Sequence, residues 1–576
     1  KIVQIGAPRN VTMDTSAPAG VGDARTSGTD VFATLEGPLA PATWRLAFTT
    51  DVTAAYTVTI AGLQVPISIS LEVSVEAKNI RLTQAARLDA TNPIRPLLAP
   101  PAPANVALDL SITSPDPLVS QIVGPLSTVL APVLKVALVG GALLGQQQIA
   151  QLIQGIPPVA WGVGGPAAQG VAGAPAFGPL ADDIEDEILR HHLPFGTLVS
   201  VAFDQPGYGN GNIDHYEVYG DSAIWTGHYL MAEALRYELT GDPRALAGAE
   251  RAAGGLDTCV GLTGERGLLS RNCVPLSSPH SKDVVNGLDA AIGTKNGVAY
   301  ACENDISRDQ YLGTFMGFME AYLRVPSLRA TATRVVSDMI DYLDGHQWNA
   351  YTVNPPRVWA RFAPGAQTPS VVLAFLKVGN LVDRAKYGAL HDRYAPASST
   401  IWLSTWGSSR EVNESYYKFN LGNCENTLLF TVETDPERYR DYARGMEILR
   451  DTVGDHQNPW FDATYAACVP SQVALWGPRV EAELQRWTLR PRRAFSIQNS
   501  SDPSIQSVVY SAPTLLQSPP HLVSRYPVPI EKRVSGCFVW QTDCFELDGS
   551  EPGTLQHSGV EFVLPYWLAR SYGLID

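Results

Sequence analysis

The sequence predicts a multidomain α+β protein: an N-terminal β-rich module with apolar helices, followed by an all-α region built from helical hairpins. Three observations carry this. Apolar residues occupy every odd position from Val65 to Val75, the period-two signature of a strand with one wet face. A Gly/Pro/Ala run spans 155–180. Beyond it, apolar residues recur at helical spacing to the end of the chain. At 576 residues the chain is too long for one ordinary domain. The predicted parts are 1–154, the linker 155–180, and 181–576.

In the first part, Trp44–Phe48 and Tyr56–Ile60 repeat the alternation of Val65–Glu76 more briefly, and Ala107–Ile112 is a further strand candidate. Asn92–Ala104 is rich in proline and reads as a connection. Leu118–Leu144 carries one charge, Lys135, which by length suits a membrane span. Pro125, Pro132 and Gly140-Gly141 interrupt it, and neither basic clusters nor aromatic belts flank it. Residues 117–153 are therefore expected to be apolar helices that bind lipid, a partner or another copy of the chain.

In the last part, Ala181–His192 is the first helix. Ile224–Leu239 places Ile224, His228, Met231, Leu235 and Leu239 three and four apart, predicting one buried face. Thr240-Gly241-Asp242-Pro243 ends it with a stop-and-restart signal: Gly241 for the left-handed cap, Asp242 as the next N-cap, Pro243 at the first helical position. Ser307–Leu323, Arg329–Leu343, Ser370–Leu381, Tyr416–Thr431, Pro436–Val453, Val473–Trp487 and Val560–Tyr572 follow as helices. Arg493–Gly553 reads as loops or a small sheet.

Composition narrows the function. The formal net charge is −15 without a basic stripe, which excludes nucleic acid as a partner. Charged residues make up 17%, below the usual level of about 25%. With a chain beginning at Lys1, this balance predicts an exported, extracellular or cell-surface protein. None of the seven cysteines forms C-x-x-C, which disfavours a zinc ribbon or a thioredoxin site. Cys259/Cys273 and Cys537/Cys544 are spaced to close short loops, and Cys424/Cys468 is a third candidate bridge that leaves Cys302 free. The alternative is that all seven are reduced core cysteines.

Asp221-Ser222-Ala223-Ile224-Trp225-Thr226-Gly227, the Thr240-Gly241-Asp242 turn, Leu262-Thr263-Gly264-Glu265-Arg266-Gly267 and Leu564-Pro565-Tyr566-Trp567 resemble bacterial secreted proteins with the six-hairpin (α/α)6 glycosidase-like toroid. The resemblance covers about 185–576. It implies a carbohydrate site at the loop mouth, and a glycoside hydrolase or, less favoured, a polysaccharide lyase. It transfers no catalytic residue, because no defined motif of either class matches residue by residue.

A glycoside hydrolase needs two carboxylates across a cleft. Asp221, Asp305, Asp309 and Glu414 are the catalytic candidates, with Glu303, Glu411 and Glu425 close to helix starts. Asp221 equally suits an N-cap. Asp214, Glu217 and Asp221 form an oxygen cluster that would suit calcium, the one cofactor considered. Trp225, Tyr311, Trp402, Trp406 and Tyr416 are candidates for stacking on a sugar, although most aromatics of a large helical domain belong to its core. The competing expectation is a non-catalytic surface, assembly or adhesion protein.

Overall fold

The structure is a computed structural model. It describes the strands between residues 2 and 113, residues 170, 176–206, 211–217, 219–285, 289–362, 369–401, 416–454, 456–487 and 553–576, and short pieces of 505–547. The chain divides into two compact units, Lys1–Gly155 and Ile156–Asp576.

The first unit contains two antiparallel sheets. Long strands β5 (Trp44–Ile60) and β6 (Leu63–Leu82) form a hairpin in register from Ile60↔Leu63, and β9 (Val106–Thr113) pairs with the other edge of β6. The two brief alternating runs at 44–48 and 56–60 thus belong to one strand. The proline-rich stretch differs from expectation: Asn92–Leu98 is strand β8. It is the terminal strand of a sheet in the order β3 (Arg25–Ser27), β4 (Asp30–Thr34), β7 (Ala85–Asp89), β8, where a residue lacking an N–H is tolerated. The apolar stretch 117–153 lies outside the described residues. Among those described, no helix is long and apolar enough to cross a membrane.

The second unit is mostly helical with small antiparallel sheets, so the chain is broadly α+β. Its helices are α1 (Phe177–Glu187), α2 (Ser222–Thr240), α3 (Pro243–Cys259), the short α4 (Ser281–Val285), α5 (Arg308–Arg324), α6 (Arg329–Gly345), α7 (Pro369–Val382), α8 (Arg384–Tyr394), α9 (Tyr417–Phe430), α10 (Pro436–Val453), α11 (Pro459–Cys468), α12 (Val473–Gln485) and α13 (Val560–Ser571). They fall into two classes. Helices α2, α5, α7, α9, α11 and α13 pack on one another in that order, and α13 packs again on α2. Helices α3, α6, α8, α10 and α12 each pack back on the helix before them, and α1 packs on α13.

Burial follows the same division. Helix α3 buries Ala245, Ala249, Ala252, Ala253 and Leu256, and α6 buries Ala332, Val335, Val336, Met339, Ile340 and Leu343, each along one stripe. Helix α2 is instead buried on all sides from Ser222 to Arg236. The single buried face expected for it is thus too narrow at its start and too long at its end, where Leu239 is 41% exposed. Helices α2 and α5 approach so closely because glycine lines the crossing. A Cβ on Gly227 would overlap the carbonyl of Gly313, and one on Gly317 would come within 2.7 Å of the carbonyl oxygen of Gly227.

The restart turn is as predicted. Gly241 is left-handed at φ 64°, and the Asp242 side chain accepts from the Arg244 amide 2.8 Å away, with Pro243 opening α3. The same chemistry starts two helices that hydrophobic spacing did not reveal: Asp383 caps α8 and Asn458-Pro459 opens α11.

The cysteine pairing differs from the expected one. Cys273 on β12 (Asn272–Pro275) faces Cys302 on β14 (Val298–Glu303), and the two form a disulfide across Cα atoms 4.1 Å apart. Cys302, expected to be free, is therefore the bonded partner, and Cys259 is left as a buried thiol. Cys424 and Cys468 are also buried thiols rather than a bridge. The loop expected between Cys537 and Cys544 falls outside the described residues. Cys544 is buried at 2% exposure, and Cys537 lies outside the described residues. Sequence spacing favoured local loops, whereas strand pairing joined cysteines 29 residues apart.

Candidate functional site

Helices α2, α5 and α9 begin around one cavity. Its volume is about 320 Å³, and its wall comprises Asp221, Ile224, Trp225, Arg271, Ser307, Arg308, Asp309, Tyr417, Asn420 and Leu421. Three of the sequence-derived candidates therefore meet here: Asp221 and Asp309 among the carboxylates, and Trp225 among the aromatics.

Asp221 occupies the N-cap position of α2, but its side chain makes no capping hydrogen bond. The cap comes from α5: Gln310 Oε1 accepts from the Ile224 amide at 2.9 Å. Gln310 Nε2 donates to Asp221 Oδ1 at 3.3 Å and to Asp309 Oδ2 at 3.1 Å. Gln310 is fully buried, so one amide satisfies the helix start and orients two carboxylates. The reading of Asp221 as a simple cap is thereby corrected.

The third side of the cluster is the sheet of β12, β13 (Ala290–Lys295) and β14. Arg271 precedes β12 and Glu303 ends β14, and the Arg271 amide donates to the Glu303 carbonyl at 2.8 Å. The Cys273–Cys302 bond sits at the next paired position along these two strands. It ties together the backbone segments that present Arg271 and Glu303. The Arg271 guanidinium reaches Asp305 Oδ1 at 2.9 Å, Asp221 Oδ1 at 3.7 Å, and the Gly220 carbonyl. Glu303 Oε1 and Arg271 Nη1 both lie 3.8 Å from where a side chain on Gly220 would begin. Asn304, fully buried, locks the following loop by accepting from Thr263 Oγ1 at 2.6 Å and from Ser270 Oγ.

This environment separates Glu303 from its neighbours. Burial, reinforced by the negative charge of Asp305, pushes its carboxyl up to about 7 against the opposing pull of Arg271. On α9, burial pushes the Glu425 carboxyl up to about 7, opposed by Ser370 and Arg308.

Other candidates take different places. Tyr311 is fully buried, stacked on Phe315, edge-on to Phe362 and tilted against Phe375, and its hydroxyl accepts from the Leu269 amide at 3.2 Å. It belongs to the core. Tyr416 is likewise buried, its hydroxyl 3.0 Å from His456 Nδ1. Its neighbour Tyr417, 44% exposed, is the tyrosine on the cavity wall. Trp225 lines the cavity while only 5% exposed. Glu414, Trp402 and Trp406 lie outside the described residues. The oxygen cluster proposed for calcium does not converge. Asp214 and Glu217 hold the two ring nitrogens of His215 at 2.9 and 3.0 Å, while Asp221 faces Arg271. Among the described residues no group of three or more His, Cys, Asp or Glu is arranged to hold a metal ion.

Arg271, Gln310 and Asn420 went unrecognised as site residues. Only Gln310 left a usable signal, as a polar residue within the first turn of an apolar helix.

Beneath the cavity, Cys424 Sγ lies 3.4 Å from His228 Nε2. His228 Nδ1 sits 2.8 Å from the Ile224 carbonyl and so carries the proton, leaving Nε2 to accept from the thiol. Burial lowers His228 to about 4 and raises the Cys424 thiol well above its usual range. The pair is neutral, and the cysteine is not an activated nucleophile. Comparison with protein-family models, with curated proteins and with solved structures finds no match.

Proposed function

We propose that the second unit is a six-hairpin toroid and that the chain is an exported glycoside hydrolase acting on an extracellular polysaccharide at the cavity between α2, α5 and α9. The cyclic packing order of α2, α5, α7, α9, α11 and α13, each with a partner helix, supports the toroid. The Cys273–Cys302 disulfide supports an oxidising compartment.

The observation that carries the hydrolase reading is that Glu303 lies near enough to Asp221 to feel its negative charge. Glycoside hydrolysis needs one carboxyl that still holds a proton near neutrality and one carboxylate able to assist at the sugar ring. Glu303, raised to about 7 by burial, suits the acid. Asp221, on the cavity wall and held by Arg271 and Gln310, suits its partner. Tyr417 offers an exposed ring for the sugar face.

The test is a screen of polysaccharides with the wild-type chain, Glu303→Gln and Asp221→Asn. Hydrolysis by the wild type that both variants lose is the expected result. Hydrolysis undiminished in both would assign the cluster to loop architecture. No hydrolysis of any polysaccharide by the wild type would favour the non-catalytic surface-protein reading.

A further inference from the structure

The wall opposite Asp221 is made of donors. Asn420 on α9 is fully buried, and its Oδ1 accepts from Trp460 Nε1 at 2.9 Å. An indole N–H can only donate, so this contact fixes which end of the amide is oxygen. The Nδ2 end, on a residue of the cavity wall, has no hydrogen-bond partner among the described residues. A buried amide donor left unpaired carries its desolvation cost uncompensated, which a ligand acceptor would recover. Ser307 precedes α5 with its Oγ buried and without a partner among the described residues, and its side chain does not cap the helix. The positive end of a 17-residue helix therefore opens at this wall.

Arg308 completes it. Its side chain is exposed on the wall and forms neither an ion pair nor a hydrogen bond among the described residues; the acidic group that feels it is Glu425. The two wall carboxylates are otherwise engaged, Asp221 by Arg271 and Gln310, and Asp309 by Gln310. A guanidinium fork, an amide donor and a helix start together match a planar or tetrahedral oxyanion.

We propose that Arg308, Asn420 Nδ2 and the first turn of α5 form an oxyanion subsite, so that the ligand of the cavity is a sugar bearing a carboxylate or a sulfate ester. This rests on the carbohydrate reading of the same cavity but not on turnover.

Titration calorimetry on the full chain tests it with three probes: methyl glucuronide, glucose 6-sulfate and methyl glucoside. The wild type is expected to bind at least one charged probe at least tenfold more tightly than methyl glucoside, and the tighter of the two identifies the source of the oxyanion. Arg308→Ala, an exposed change, is expected to erase that preference. Asn420→Asp keeps an acceptor for Trp460 and replaces the free donor with oxygen, so it is expected to weaken the charged probe. Equal binding of charged and neutral probes, no binding of either charged probe, or a preference surviving Arg308→Ala would overturn the subsite. Hydrolysis of neutral glucans lost in Glu303→Gln, without any charged-sugar preference, would sink the subsite alone. Arg308-dependent binding without hydrolysis would sink the hydrolase alone.

Discussion

The two ends of helix α2 carry similar residues and have different uses. At its C-terminal end, Glu233 and Arg236 meet Glu185 of α1, with Arg236 Nη1 3.5 Å from Glu185 Oε1 and 3.9 Å from Glu233 Oε1. Tyr229 donates to Glu185 at 3.2 Å, and Arg236 continues to Asp242 at 2.7 Å. Both glutamates are fully buried. Burial drives both carboxyls up, and for Glu233 the proximity of Glu185 adds to it, so the pair retains a proton. At the N-terminal end, Asp221, Glu303 and Arg271 form a comparable charge cluster, of which Asp221 and Arg271 line a cavity. A perturbed carboxyl alone therefore does not mark a site. What distinguishes the mouth is access together with a partly exposed acid.

The largest expected effect separates the two ends directly. Glu303→Gln should lower turnover of a responsive polysaccharide by about 10²–10⁴-fold, the usual worth of a positioned general acid, with little change in thermal midpoint. The sealed end should respond in the opposite manner. Arg236→Met leaves two acidic groups buried without their cation and is expected to cost about 3–5 kcal/mol in denaturant unfolding. A smaller loss is expected at Gly248 of α3, where a Cβ would sit 2.6 Å from Glu233 Oε2 and 2.8 Å from the Tyr229 hydroxyl. Gly248→Ala should cost about 1–3 kcal/mol by overpacking.

Two pH measurements refine the comparison. The folded-state values of Glu185 and Glu233 are raised above the ordinary value of 4.5. Their contribution is therefore fully present below the unfolded-state value and is lost as pH rises above it. Wild-type stability should decline along that limb, and Glu233→Gln should flatten it; an unchanged slope would mean the pair does not share a proton. The smallest effect is expected at the mouth. Asp305 helps to raise Glu303, so Asp305→Asn should move the alkaline limb of activity, near pH 7 in the wild type, toward lower pH. A limb that moves upward would contradict the assignment of Glu303 as the acid.

Much of the helical unit was legible locally. The Thr240–Pro243 turn, the span of α10 and the cap chemistry of α3 depend on residues within one turn of each other, where backbone preference and side-chain capping decide the outcome. The site was legible only in part. Asp221 and Asp309 stand out as acids at helix starts, but Gln310 takes over the cap of α2 across 86 residues. Tyr416 and Tyr417 are adjacent aromatics whose fates diverge because successive helical residues point in different directions.

The sequence by itself determined where many of the helices of the second unit begin and how the restart turns are capped, because these follow from neighbours along the chain. Only the tertiary structure decided which helices are enclosed on every side, which cysteines bond, and which carboxyls keep a proton. Those depend on groups brought together from distant positions, whose burial and charge no local pattern encodes.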